Sequence, residues 1–400
     1  MSKSKVTKLS FDNTEVAFQS KTDFELKKSF WLFKLVGNNF IVKWSPLLLK
    51  IALFLRLPIK GIIKKTIFSQ FCGGEFIHDC ENSIVTLAQY NVKTILDYSV
   101  EGQINEADFE QVTNEIIKTI HRAKGDENIP FAVFKISGLG RFNILEKVSA
   151  NQNLSDSETL EFDQIKDRVK RICQKAFDLN VNIFIDAEES WIQNTIDHLA
   201  TSMMRLFNKE QVIVYNTLQM YRWDRLAFLK QSYADAENGN YHLGLKIVRG
   251  AYMEKERKRA EEFDYPSPIQ KDKKSCDQDF DLALSYCINH IDKISICAGT
   301  HNEESTLKLV ELMTENNVLK DDNRLYFSQL LGMSDHISFN LAKQGYNVVK
   351  YMPYGPVKEV IPYLLRRADE NTSVGGQTTK ELALIEKEIS RRKLKASVEA

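Results

Sequence analysis

From residue 92 onward the chain alternates short apolar, β-branched runs with longer amphipathic stretches. Eight runs stand out: Val92–Val100, Phe131–Leu139, Val181–Ala187, Val212–Met220, Leu243–Gly250, Ile294–Thr300, Arg324–Leu331 and Asn347–Tyr351. Continuous apolar runs rather than alternating ones mark strands buried on both faces, as in parallel sheets. Each gap between runs leaves room for a helix, so the pattern reads as βαβ units. Eight such units over about 280 residues predict an α/β fold, a distorted (β/α)8 TIM barrel preceded by an N-terminal helical region. A doubly wound open sheet is the rival. Against it, no GxGxxG follows the first run, and the Gly138–Gly140 pair lacks the third glycine and sits on the second run.

The pattern before residue 92 differs. Residues 1–25 form a polar segment, expected to be loosely ordered. Residues 26–90 read as amphipathic helices, with Pro58 suited to a first turn. Lys43 and Lys50 share a helical face, as do Lys60 and Lys64. The barrel is placed at 91–375. Residues 376–400 form a C-terminal helix rich in Glu and Lys.

Composition adds one refinement. Hydrophobic residues make up 43% and charged residues 27% of 400, ordinary for a globular protein. Lys plus Arg and Asp plus Glu are both 54, which argues against a nucleic-acid partner. The balance is uneven, however. Between Leu26 and Gly74 lie nine basic residues and no acidic one, leaving 45 basic against 54 acidic elsewhere. Within that region Leu47–Ile59 is apolar but broken by Lys50 and Arg56. It is too charged to span a bilayer and suits an anionic membrane surface, or the helices pack on the barrel with their lysines in water. The six cysteines show no CxxC pair, and the histidines no HExxH spacing, so reduced thiols and no metal are expected. The N-terminus has no continuous apolar region and carries Asp12, Glu15, Asp23 and Glu25, which disfavours a transit peptide.

In a barrel of this kind chemistry sits at the C-terminal ends of the strands. Those ends carry Asp97, Lys135, Asp186 with Glu188 and Glu189, Gln219, Arg249 with Tyr252, His301 with Asn302, Gln329 and Tyr351. Any one of them could be a solvated loop residue; their recurrence on one predicted rim is the signal. After the eighth run comes VKEVIPYLLRRADEN (357–371), with adjacent Arg366 and Arg367, and Glu370 four residues after Arg366. It reads either as an exposed helix with an i,i+4 ion pair or as a paired guanidinium clamp for a carboxylate.

At this point the chain resembles the proline dehydrogenase family, flavoenzymes built on a distorted (β/α)8 barrel. The resemblance rests on FKISGL (134–139), IDAEES (185–190), LKIVRGAYMEKER (245–257), GTHNEES (299–305), FSQLLGMSDH (327–336) and YMPYGPVKEVIPYLLRRADEN (351–371). TIFSQFCGGE (66–75) is similar to the short, eukaryote-like branch, and the match runs over residues 30–375. The resemblance implies oxidation of L-proline to Δ1-pyrroline-5-carboxylate by hydride transfer to FAD, with electrons passed to a membrane quinone. It implies that Arg366 and Arg367 hold the proline carboxylate, and that Lys135, Asp186, Tyr252, Leu330 and Tyr351 line the proline pocket. On the flavin side it places Gln219, the backbone of Arg249, Gly250 and Ala251, Thr300, His301, Asn302 and Glu370, and Gln329 is assigned to the same side.

One departure concerns the fifth strand, where many members have Arg-x-x-Lys and this chain has Lys246 and Arg249. Residues three apart point to opposite faces of a strand, so Lys246 is expected to face the flavin. The 265–277 loop resembles a flavin-phosphate segment and points weakly to Lys273. Tyr351, larger than the matching residue of related hydroxyproline dehydrogenases, implies a preference for proline. The expected setting is cytoplasmic, peripheral on the inner face of a bacterial inner membrane through 26–74, or mitochondrial if the source is eukaryotic. Two other readings remain: a Schiff-base enzyme using Lys135, and a membrane-peripheral barrel without activity.

Overall fold

The computed structural model describes residues 9–37, 60–100, 105–373 and 377–398. Eight parallel strands close into a barrel: β1 (Val92–Tyr98), β2 (Phe131–Lys135), β3 (Asn182–Asp186), β4 (Val214–Gln219), β5 (Leu243–Val248), β6 (Ile294–Gly299), β7 (Leu325–Leu330) and β8 (Val348–Tyr354). Each falls on one of the eight apolar runs. Closure is carried by β1 against β8, paired from Val92↔Val348 to Tyr98↔Tyr354. Helices follow the strands and cover the outside, where Ile183, Leu218, Leu243, Leu245 and Ile296 pack beneath them.

Period-two alternation sends the other residues of each strand into the barrel. The lower interior is filled by rings. Phe131 and Phe184 stack at 4.4 Å, and Tyr215 and Tyr326 meet Phe131 edge-on at 5.5 and 4.8 Å. Aromatic faces and edges are electrostatically complementary in such contacts. Above this floor the inward residues turn polar: Asp97, Lys135, Asp186, Lys246 and Tyr351.

The N-terminal region is ordered by specific contacts. Thr22 and Glu25 form a capping box that starts the Asp23–Val36 helix: the Glu25 N–H donates to Thr22 Oγ1 at 3.2 Å, and the Thr22 N–H to Glu25 Oε2 at 2.8 Å. Residues 9–25 are not loose, as the polar composition suggested. Phe11, Ala17 and Phe18 are buried. The C-terminal Gln377–Val398 helix holds them: Arg392 donates to the Phe18 and Lys21 carbonyls at 2.9 and 3.0 Å and pairs with Asp23 at 2.7 Å. That helix therefore has an inner face, with Leu384, Ile385 and the fully buried Glu388 on it. Further on, a turn at Lys60–Ile63 runs into a π-helical turn at Lys64–Phe68. The following Cys72–Glu75 stretch lies against the end of β8, where the Gly73 N–H donates to the Pro353 carbonyl at 2.9 Å. A Cβ at Gly73 would stand 2.6 Å from Met352 Sδ, so only glycine allows this approach. The expectations for Lys43, Lys50, Pro58 and the Leu47–Ile59 stretch lie outside the described residues, as does the side chain of Lys60. Among the described residues no helix is long and apolar enough to cross a membrane, and no His, Cys, Asp and Glu cluster suits a metal ion.

Candidate active site

The polar layer above the aromatic floor is one connected group. Lys246 Nζ donates to Asp186 Oδ1 and, at 2.7 Å, to the Tyr351 hydroxyl. The Tyr351 hydroxyl in turn donates to Asp186 Oδ1 at 3.2 Å. Lys135 Nζ lies 3.7 Å from Asp186 Oδ2 and 3.8 Å from Asp97 Oδ1, and Ser99 donates to Asp97 at 2.6 Å. Two lysines thus alternate with two carboxylates, which makes burial of all four groups tolerable. Burial, and then the neighbouring Asp186 charge, push the Tyr351 phenol well above its ordinary pKa, so it stays a donor. Its ring stacks on Phe184 at 6.4 Å and lies 4.6 Å beneath the Lys246 ammonium. Leu330, Cα-paired with Tyr351, packs on the same interior cluster.

Lys246 and Arg249 part company as their spacing requires. Lys246 faces inward. Arg249, just past β5, is turned outward: Nε donates to Asp277 at 2.7 Å, Nη1 to Thr300 Oγ1 at 2.6 Å and Nη2 to Ser305 Oγ at 2.9 Å, with Phe280 under the guanidinium. Lys273 pairs with the same Asp277 at 2.5 Å. Gly250 follows with φ +136°, and a Cβ there would stand 2.6 Å from the Tyr221 ring. Next in the chain are Ala251, half-buried, and Tyr252, the residue before the Met253–Glu262 helix.

The helix after β8, Val357–Ser373, leans its arginines toward these strand exits. The Arg366 guanidinium lies 5.8 Å from the Tyr252 ring, and the buried Arg367 lies 5.0 Å from Tyr363. The Glu370 side chain falls outside the described residues.

At the ends of β4, β6 and β7 the remaining polar groups hold one another. Gln219 donates to the Glu188 carbonyl at 2.7 Å, and Gln329 to the Thr300 carbonyl at 3.1 Å. Asn302 caps the Glu303–Glu315 helix by accepting from the Ser305 N–H at 3.1 Å. His301 Nδ1 is 2.9 Å from Ser334 Oγ. Burial, with Lys350 and Arg367 nearby, pushes the imidazole pKa down to about 3, so the ring is neutral.

This side of the barrel fits FAD chemically. Arg249 brings a cation to the start of the Glu303–Glu315 helix, whose N-terminal N–H groups carry partial positive charge; together they suit an anionic pyrophosphate. If FAD binds here, the N–H groups of Lys246 and Gln219 not used by Asp186, Tyr351 and Glu188 would be donors for its ring carbonyls. Sequence reasoning missed several groups here. Ser305 lay unremarked inside GTHNEES. Glu188 was on the predicted rim without a role; its carboxylate accepts from Ser137 N at 3.0 Å and from the Ser137 hydroxyl. Ser334 and Glu381 gave no signal, since only the fold brings Ser334 to His301 and Glu381 to Ser334.

Comparison with known proteins shows the family of the chain. The family model "Proline dehydrogenase" matches residues 80–380. Proline dehydrogenase 1, mitochondrial, of Dictyostelium discoideum is 32% identical, with 96% of this chain and 75% of that protein covered. The carbapenem antibiotics biosynthesis protein CarD of Pectobacterium carotovorum subsp. carotovorum is also 32% identical, over 83% of this chain and 86% of that one. A hydroxyproline dehydrogenase of Xenopus laevis is 28% identical over 96% of this chain and 90% of its own. Among solved structures, proline utilization A from Bdellovibrio bacteriovorus, inactivated by N-propargylglycine, superposes with a TM-score of 0.71 at 18% identity. That likeness covers 94% of this chain but only 40% of the larger protein, and it speaks for the fold alone. With the family model spanning most of the barrel and a relative at 32% identity over nearly the whole length, the chain belongs to the proline dehydrogenase family.

Proposed function

We propose that this oxidoreductase converts L-proline to Δ1-pyrroline-5-carboxylate, using FAD and passing electrons to a membrane quinone. The observation that carries the reading is the charged layer Lys135–Asp186–Lys246–Tyr351, sealed below by aromatic rings and overlooked by the Arg366–Arg367 helix. Bound FAD, held by Lys246, Gln219, Arg249 and the 300–302 turn, would supply the two-electron acceptance that no protein side chain offers. The protein does the rest. Arg366 and Arg367 bind the substrate carboxylate with charge that does not titrate. Tyr351, Leu330 and Tyr252 fix the ring. The Lys135–Asp186 pair sets the charge beside the ring nitrogen, which must lose its proton before C5 can give up hydride. The aromatic floor keeps water out, and orientation is the main rate term. The test is an absorption spectrum. Purified protein should show flavin bands that bleach on anaerobic addition of proline; a colourless protein that does not take up FAD would refute the reading.

A quinone acceptor calls for access to a bilayer, and we assign the contact to residues 26–74. The Asp23–Val36 helix supports this. Phe24, Trp31 and Leu35 are 77%, 60% and 51% exposed, and at about 100° per residue they form one outward stripe with Lys27 and Lys34 along its edge. Aromatic and basic residues on one helix face suit an anionic lipid surface. The setting is then peripheral, on a bacterial inner membrane or, for a eukaryotic source, in the mitochondrion.

A further inference from the structure

Ser334 is buried completely and sits at φ +51°, ψ +42°, a left-handed conformation that costs a residue with a Cβ. Contacts at its N–H, its carbonyl and its hydroxyl hold it there. Its N–H donates at 2.5 Å to Oε1 of Glu381, a carboxylate on the C-terminal helix that is itself only 3% exposed. Its carbonyl accepts from the Ser338 N–H at 3.1 Å. Its hydroxyl meets His301 Nδ1 at 2.9 Å. The path then closes on itself: Ser338 donates to Gln329 at 2.8 Å, and Gln329 to the carbonyl of Thr300, next to His301. Strain survives where the surroundings over-determine it, and of the groups so fixed the Ser334 hydroxyl is the one that meets the His301 imidazole.

A neutral imidazole has one donor and one acceptor nitrogen, and the partner of one sets the role of the other. A flavin nucleotide offers mainly acceptors, its ring carbonyls and phosphate oxygens, so a histidine serving it must donate.

We propose that the Ser334 hydroxyl donates to His301 Nδ1 and fixes the tautomer with Nε2–H as donor toward the flavin, while Glu381 holds Ser334 in the conformation that makes this bond. Both are positioning residues for the cofactor. The inference rests on the reading that His301 faces FAD.

The test uses the full-length chain. Ser334→Gly removes the hydroxyl and relieves the backbone strain, so the fold is kept. Glu381→Gln keeps an acceptor oxygen, and Glu381→Ala removes it. FAD affinity is measured by fluorescence quenching, the environment by the visible spectrum of bound flavin, and the tautomer by long-range 15N correlation of the histidines. Ser334→Gly and Glu381→Ala should weaken FAD about tenfold and shift the flavin band. Glu381→Gln should stay within threefold of wild type. The His301 15N pattern should report Nε2–H in the parent and lose that preference in Ser334→Gly. An Nδ1–H tautomer in the parent, or FAD affinity and spectrum unchanged in Ser334→Gly, would overturn the proposal. Failure of the parent to bind FAD would instead refute the underlying reading, and the 15N pattern would still decide the hydrogen bond.

Discussion

Lys246 and Asp186 join hands inside the barrel although β4 runs between their strands, and the Tyr351 hydroxyl on β8 closes the triangle. Three strands are thereby tied to one charged centre. Lys246→Met would strand Asp186 with Lys135 as its remaining cation. Removing one member of a buried pair costs about 3–5 kcal/mol. The expected result is a fall of at least 100-fold in kcat/KM for proline with an artificial electron acceptor. A loss below fivefold would remove Lys246 from the site.

Tyr351 offers a size test. Tyr351→Phe deletes both hydroxyl contacts but keeps the ring on Phe184, so turnover should drop while the preference for proline persists. Tyr351→Ser opens room beside the substrate ring. The ratio of kcat/KM for trans-4-hydroxyproline to that for proline should rise at least tenfold. An unchanged ratio would show that Tyr351 does not govern selectivity.

The arginine pair is tested by charge removal. Arg366→Met and Arg367→Met should each raise KM for proline tenfold or more, since one member of a desolvated charge pair is worth about 2–5 kcal/mol. A KM within twofold of the parent for both would dissolve the clamp.

Glu188 gives a pH signature. Burial, and then the neighbouring Glu189, push its carboxyl up to about 7. Between the ordinary carboxylate range and pH 7 the folded chain holds a proton that the unfolded chain has released. Its stabilising share is therefore complete at pH 4 and lost as pH rises through 7. Glu188→Gln removes this dependence. The Tm of the variant relative to the parent should climb by a few degrees from pH 5 to pH 8. A constant difference would mean that Glu188 is ionised throughout.

The outward stripe on the Asp23–Val36 helix predicts lipid binding. A Phe24→Ser, Trp31→Ser, Leu35→Ser variant should lose co-sedimentation with phosphatidylglycerol vesicles and keep its proline activity with a soluble acceptor. Full retention on vesicles would place the membrane contact elsewhere.

Much of this was legible in the sequence because the signals were local. Parallel strands buried on both faces leave continuous apolar runs, so all eight were visible. Strand periodicity alone separated Lys246 from Arg249. What stayed hidden depends on distance. Phe18 is buried by a helix some 370 residues away, so polar neighbours made its segment look loose. Glu381 meets Ser334 across two helices, and no spacing rule links them. Asp97 was on the predicted rim, but only the pairing of β1, β2 and β3 side by side brings both it and Asp186 within 4 Å of the Lys135 amine.

The packed rings of Phe131, Phe184, Tyr215 and Tyr326 have a consequence for traffic. Packed against one another, they fill the lower end of the barrel interior. The filled end leaves the upper rim as the expected side of exchange, so reactant and product would share one approach to the charged layer.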